Sequence, residues 1–196
     1  MDKLETIKSN FSQNIETVNL TVKNNLDDIL HATNMLIEML ESQGKLLSCG
    51  NGGSSGDAQH ISSEFINRFE LERDEMPAIS LNSDTATVTS IANDYGYEYI
   101  FSKQIKALGR ENDVLMAFTT SGNSSNILEA INAAKEKSMS VILVGGKDGG
   151  KALSLLDDDD CRIIIPHKRT GRIQEMHLII IHSICECLDQ YMKTKD

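Results

Sequence analysis

Over the first 44 residues the apolar side chains Leu4, Ile7, Phe11, Ile15 and Val18 recur at steps of three and four, the period of one helix face. Asn24 or Asn25 is placed to cap a second helix through "LDDILHATNMLIEML". A stripe this narrow suits a partner helix, so residues 1–44 are read as N-terminal helices for assembly. From Lys45 the pattern changes to five short apolar runs, "KLLSCG", "PAISL", "DVLMAFTT", "SVILVGG" and "CRIIIP", separated by longer stretches of helical period. Such alternation predicts an α/β fold in which helices cover both faces of a parallel sheet. Pro77 and Pro166 each lie beside a predicted strand, where no helical hydrogen bond is lost. No repeat or linker interrupts residues 45–196, and the whole reads as one structural domain. Asp157 to Asp160 reads as a solvated loop entering the last strand.

Composition changes this picture only by exclusion. A chain of 196 residues that is 40% hydrophobic buries one sizeable core. A net charge of −10 argues against a broad nucleic-acid or anionic-membrane surface, which needs clustered Lys and Arg. An anionic ligand must therefore be held locally. Cys49, Cys161, Cys185 and Cys187 form neither a CxxC pair nor a secreted scaffold, and "MDKLETIKSN" lacks the apolar core of a signal peptide. The expectation is a reduced, cytoplasmic protein. "HLIIIHSICECL" is too short and too interrupted to span a bilayer.

Two strand ends carry the candidate chemistry, "CGNGGSSGD" and "TTSGNSSN". In each, a strand stops at a turn that leads into a helix, so free backbone N–H groups meet the positive end of a helix dipole, an arrangement suited to phosphate. The hydroxyls of Thr119, Thr120, Ser121 and Ser124 add compact donors. A dinucleotide fits less well, since the first loop reads Gly50-x-Gly52-x-x-Ser55 and no acidic residue closes a second strand about 20 positions on. No Gly-Lys-Ser/Thr follows either loop, so neither is a P-loop. A monoester phosphate is the better ligand. After the first loop, His60 and Glu64 stand one helical turn apart, a spacing at which imidazole and carboxylate share a metal or a substrate. In "RTGRIQEMHLIIIHSICECLDQ", Gln174, His177 and His182 interrupt an apolar helix, and each needs a partner if buried. His177, beside Glu175, is read as a surface residue, and His31 is given no role.

"CGNGGSSGDAQHISSEF", "IANDYGYEYIFSKQIKALG", "TTSGNSSNILEAINAAKEK", "GGKDGGK" and "RIQEMHLIIIH", in this order, resemble the phosphoheptose isomerases of the sugar isomerase (SIS) superfamily from Lys45 to Leu188. The resemblance implies a three-layer αβα sandwich with a parallel five-stranded sheet, a homotetramer, and conversion of sedoheptulose 7-phosphate into D-glycero-D-manno-heptose 7-phosphate for ADP-heptose and lipopolysaccharide-core synthesis. It implies sugar contacts at Asn51, Gly52, Gly53, Ser54, Asn93 and Asp94, and a phosphate loop at Thr119, Thr120, Ser121 and Ser124. It further implies one zinc ion per subunit on His60, Glu64, Gln174 and His182, with Glu64 and His182 the acid/base pair and Gln174 touching substrate. Thr119 stands where many members have Ser, and Gly171 where some have an Asp near the sugar. No organic cofactor is expected, because an aldose–ketose isomerisation moves protons only.

A rival reading comes from a replication-initiator-associating protein of the same superfamily, a binding module that "FINRFELER", "PAISLNSD" and "RIQEMH" also resemble. That regulator has lost the catalytic carboxylate and the late histidine, whereas this chain keeps Glu64 and His182. A sensor that binds a sugar phosphate without turning it over is a third possibility. Helix geometry adds a constraint on the metal set. Gln174 and His182 lie eight residues apart, about 12 Å along a straight helix and turned by roughly 80°. Side chains so placed hardly meet at one ion, which favours a site shared between chains, with Glu64 and His182 coming from different subunits.

Overall fold

The computed structural model describes residues 2–195. A 39-residue helix α1 (Lys3–Glu41) leads into β1 (Leu46–Gly50), α2 (Gly53–Ile66), β2 (Ala78–Ser80), α3 (Thr85–Asp94), α4 (Ser102–Leu108), β3 (Val114–Thr119), α5 (Ser125–Glu136), β4 (Ser140–Gly146), β5 (Cys161–Ile165) and α6 (Thr170–Lys193). The five strands pair in the order β2-β1-β3-β4-β5, all parallel. Every residue of β1 and β3 is buried, because side chains alternate between two cores. Leu46, Met116, Phe118 and Val144 face α1, α2 and α6, while Leu47, Leu115, Ala117 and Leu143 face the layer of α3, α4 and α5. This is the αβα sandwich, and all five apolar runs of the sequence are its strands.

The N-terminus departs from the expectation of two helices. α1 runs unbroken through Asn24 and Asn25, and Asn25 is buried in mid-helix rather than at a cap. Its Nδ2 donates to the Ile164 carbonyl at 3.3 Å, so contact with β5 replaces the local bond that would have ended the helix. Ala32, Leu36 and Met39 of the second half join the core, whereas Leu4, Ile7, Phe11 and Ile15 remain exposed. The acidic run is not wholly solvated either. Asp160 is buried, accepting from the Val141 and Asp157 N–H groups at 2.9 and 2.8 Å and pairing with Lys135.

α2 and α6 lie side by side on one face of the sheet. Ala58, Ile61 and Phe65 of α2 turn to the core beside Ile173, Ile180, Ile181 and Ile184 of α6. At the far end of this seam, the Arg73 guanidinium meets Asp189 Oδ1 at 2.7 Å, with both side chains sealed from solvent. Burial alone would push the Asp189 carboxyl up. The Leu71 N–H, the Arg73 guanidinium and the Glu70 N–H outweigh it and hold the group below its ordinary value. A depressed folded value means that this stabilisation is present above the unfolded value of about 3.9 and is lost as pH falls through the folded one.

Arg73→Met should therefore lower stability by about 3–5 kcal/mol, since it strands a buried carboxylate. Urea unfolding near neutral pH reads the loss. Arg73→Met/Asp189→Leu, which leaves no charge behind, should recover only part of it, because the main-chain groups that the pair satisfies lose their partners.

Candidate functional site

Between β1 and β3 the strand order reverses, so their two following loops part to opposite faces and leave a crevice at the carboxyl ends. It holds a cavity of about 290 Å³ lined by Asn51, Gly52, Gly53, Ser54, Phe118, Thr119, Thr120, Ser121, Ser124, Thr170 and Gln174. Gly52, at φ 56°, makes the sharp entry into α2. Gly122, at φ 65°, lies so close to the Gly149 carbonyl that any Cβ would collide with it. Ser124 caps α5 by position, but its hydroxyl makes no capping bond and is free for a ligand. Thr119 Oγ1 accepts from the Gly122 N–H at 3.1 Å, and Ser121 Oγ from the Asn123 N–H at 3.2 Å, so these hydroxyls also shape the loop. None of the lining residues is Lys or Arg. An anion here would rest on neutral donors and on the N-termini of α2 and α5.

Two residues that the sequence reading missed complete this pocket. Asn51 and Asn126 exchange two amide hydrogen bonds of 2.8 Å, and the Tyr97 hydroxyl donates to Asn51 Oδ1 at 3.0 Å. Both lone pairs of Asn51 Oδ1 are thereby occupied, which leaves its spare N–H as a donor for a ligand. Asn126, second in α5 and buried, reads in sequence as an ordinary cap, and Tyr97 as one of three tyrosines in a loop; nothing local marks either. Asn93 and Asp94 stand exposed at the end of α3, with Asn93 Nδ2 donating to Asp94 Oδ1 at 2.7 Å, and neither lines the cavity.

A second cluster lies further along the α2–α6 seam. His60 Nε2 is 3.0 Å from His182 Nε2 and 3.5 Å from Glu64 Oε1. The Phe69 ring stacks on His182 with centroids 5.1 Å apart. Two imidazole nitrogens facing each other at this distance suit adjacent ligands of a small tetrahedral ion, which stand about 3.4 Å apart when each bond is near 2.05 Å. The donor types fit zinc as well. Among the described residues, no three His, Cys, Asp or Glu side chains converge closely enough to hold an ion within one chain. Gln174 is not at this cluster: it packs against Gly53, in the cavity.

His177 is a correction to the sequence reading, for it is fully buried rather than on the surface. Its Nε2 meets the Gly145 carbonyl of β4 at 3.2 Å, while its Nδ1 and Asp57 Oδ2 lie 3.4 Å apart across the seam without a hydrogen bond between them. Gly171 is free of contacts, and a Cβ there would meet nothing within 4 Å, so packing does not demand glycine at that position. All four cysteines are free, and burial pushes the thiols of Cys161 and Cys185 up to about 12, far from nucleophilic use at neutral pH.

The SIS domain family matches residues 10–146. The phosphoheptose isomerase of Chromohalobacter salexigens is 54% identical over 161 residues, covering 82% of each chain. That of Alteromonas mediterranea is 47% identical over 193 residues, covering 98% of each. The structure of a phosphoheptose isomerase from Francisella tularensis superposes with a TM-score of 0.94 at 40% identity, covering 97% of this chain and all of that one.

Replacing Asn126 by Ala should free the Asn51 amide and weaken sugar-phosphate binding about tenfold, the loss of one buried hydrogen-bonded pair. Titration calorimetry reads the affinity, and an unchanged far-ultraviolet spectrum shows the fold retained.

Proposed function

The chain belongs to the SIS domain family and, within it, to the phosphoheptose isomerases, and we propose that it interconverts sedoheptulose 7-phosphate and D-glycero-D-manno-heptose 7-phosphate through an enediolate. It is an aldose–ketose isomerase whose product feeds ADP-heptose and lipopolysaccharide-core synthesis. The observation that carries the reading is the meeting of Glu64 and His182 at His60, in a chain that also has a cation-free phosphate pocket. The rival reading, a silent regulator of the replication initiator, has no support among these relatives.

The chemistry requires one proton to move between C1 and C2 and another between their oxygens. Glu64 takes the C1 proton of the ketose and returns it to C2. His182, held by the Phe69 ring, carries the proton between O1 and O2. The hydroxyl loop and the helix N-termini bind the remote phosphate, so that its binding energy fixes the reacting end. His60, Glu64, His182 and Gln174 are the residues that would hold zinc, which when bound supplies polarisation of the carbonyl and of the developing oxyanion.

Geometry favours a site made by two subunits. Eleven residues separate Gly53 from Glu64 on α2, about 16 Å of rise, more than an extended seven-carbon phosphate ester spans. A span of that size favours a pocket and an acid/base cluster that reach one substrate molecule from different chains. In place of Glu64 and His182 from different subunits, we infer that these two act together from one chain and that the pocket with Gln174 comes from a neighbour. Leu4, Ile7, Phe11 and Ile15 on α1 offer the apolar face for a homotetramer. Cytoplasmic placement suits a sugar-phosphate substrate and four free thiols, and no helix among the described residues is long and apolar enough to cross a membrane.

Turnover of sedoheptulose 7-phosphate, lost to a chelator and restored by zinc, tests the reading directly. Glu64→Gln should lower kcat at least about a hundredfold, the usual share of one acid/base group. Ser121→Ala/Ser124→Ala should raise KM while leaving bound zinc unchanged. Mixed tetramers of Glu64→Gln and Gln174→Ala subunits should regain activity that neither parent has, and continued inactivity after proven exchange would return the whole site to one chain.

A further inference from the structure

The α2–α6 seam contains a charged group that the proposed chemistry does not use. The Arg73 side chain has no exposed surface, yet it spends its donors on main-chain oxygens of the helix that carries Glu64. One terminal nitrogen donates to the Glu64 carbonyl at 2.6 Å, and the other to the Phe65 carbonyl at 3.0 Å and the Asp74 carbonyl at 2.8 Å. The N–H on Nε goes to Asp189 Oδ1 at 2.7 Å. The second carboxylate oxygen of Asp189 accepts from the Glu70 and Leu71 N–H groups at 2.8 and 2.9 Å. Glu64 lies two residues before the end of α2, within the turn whose carbonyls have no intrahelical partners and which frays unless capped.

We propose that the buried Arg73–Asp189 pair positions both acid/base groups: Arg73 caps the last turn of α2 and fixes the Glu64 backbone, and Asp189 pins the turn that carries Phe69 against His182. Arg73 and Asp189 touch no substrate and act as positioning residues. Stability alone does not call for charge here, because an apolar pair of similar volume often serves a buried site as well or better. What an apolar pair lacks is direction. A guanidinium fork fixes two successive carbonyls at once, and through them the origin of the Glu64 side chain. Each of the two groups is reached by one further step, Glu64 through its own main chain and His182 through the 5.1 Å stack with Phe69.

This inference rests on the acid/base roles assigned to Glu64 and His182, and the test separates the two. In the full-length protein, Arg73→Met/Asp189→Leu removes the directed bonds and both charges together. Turnover of sedoheptulose 7-phosphate is counted per subunit that binds inorganic phosphate, so that loss of folded protein does not imitate a slower step. The expected result is a fall in kcat of about a hundredfold, the size that a misplacement near 1 Å produces, with KM within about twofold of wild type. Asp189→Asn, which keeps the shape and an acceptor for the Glu70 and Leu71 N–H groups, should lower kcat about tenfold with KM again unmoved, and it decides the matter if the double variant does not fold. A kcat within about threefold of wild type, or a KM that rises as kcat falls, overturns the positioning role. Glu64→Gln is assayed beside them, and full turnover in that variant would sink the acid/base assignment itself, whatever the pair does.

Discussion

Everything chemical in this protein hangs on the contact between α2 and α6. Neither helix is amphipathic in a simple sense, because each carries polar groups on the side that meets the other. Gly53 meets Gln174, Asp57 meets His177, and His60 meets His182, in steps of one to two turns along both helices. Beyond the end of α2, Arg73 meets Asp189. The buried His177 and the Arg73–Asp189 pair therefore bracket the histidine cluster. A slip of one residue along this seam would leave several buried groups without partners at once, which is a far larger penalty than any single contact carries.

The sheet decides where the seam points. Parallel strands put both glycine- and serine-rich turns at one edge, and the reversal of strand order between β1 and β3 opens the crevice between them. The cavity there is accordingly lined by backbone and hydroxyl donors on rigid strand ends, with no cation among its lining residues. A protein of net charge −10 repels anions at long range, so its affinity for a phosphate ester must come from donors in contact. Fixed N–H groups at helix N-termini do this without the entropy cost of ordering a long Lys or Arg side chain.

The two halves of α1 meet different surroundings. The second half of α1 completes the core against β5 and α6, while its first half keeps an apolar stripe in solvent. Near the stripe, Arg172 donates to the Asn10 carbonyl and Asn14 Nδ2 donates to Glu175 at 2.7 Å. The start of α6, which bears Thr170 and Gln174, is thus tied to the exposed half of α1.

The strands, both loops and the His60–Glu64 pair were legible in the sequence because each is local. Apolar runs, glycine clusters and an i,i+4 spacing are set by neighbours along the chain. Burial of His177 was not legible, since Gly145, whose carbonyl it meets, lies 32 residues away on another element, and the same holds for Asn51 with Asn126 and for Arg73 with Asp189. An Asn, an Arg or a His looks like a surface residue until a distant segment supplies the hydrogen bond that makes its burial tolerable. Asn25 shows the same limit at a helix: its cap-like character counts only while no carbonyl from another strand competes for its amide. Sequence alone determined which groups the chain has for chemistry and which elements carry them. Only the tertiary structure decided that His60 meets both His182 and Glu64 while Gln174 sits at Gly53 beside the hydroxyl loop, because those distances are set by how α2 and α6 pack across the sheet.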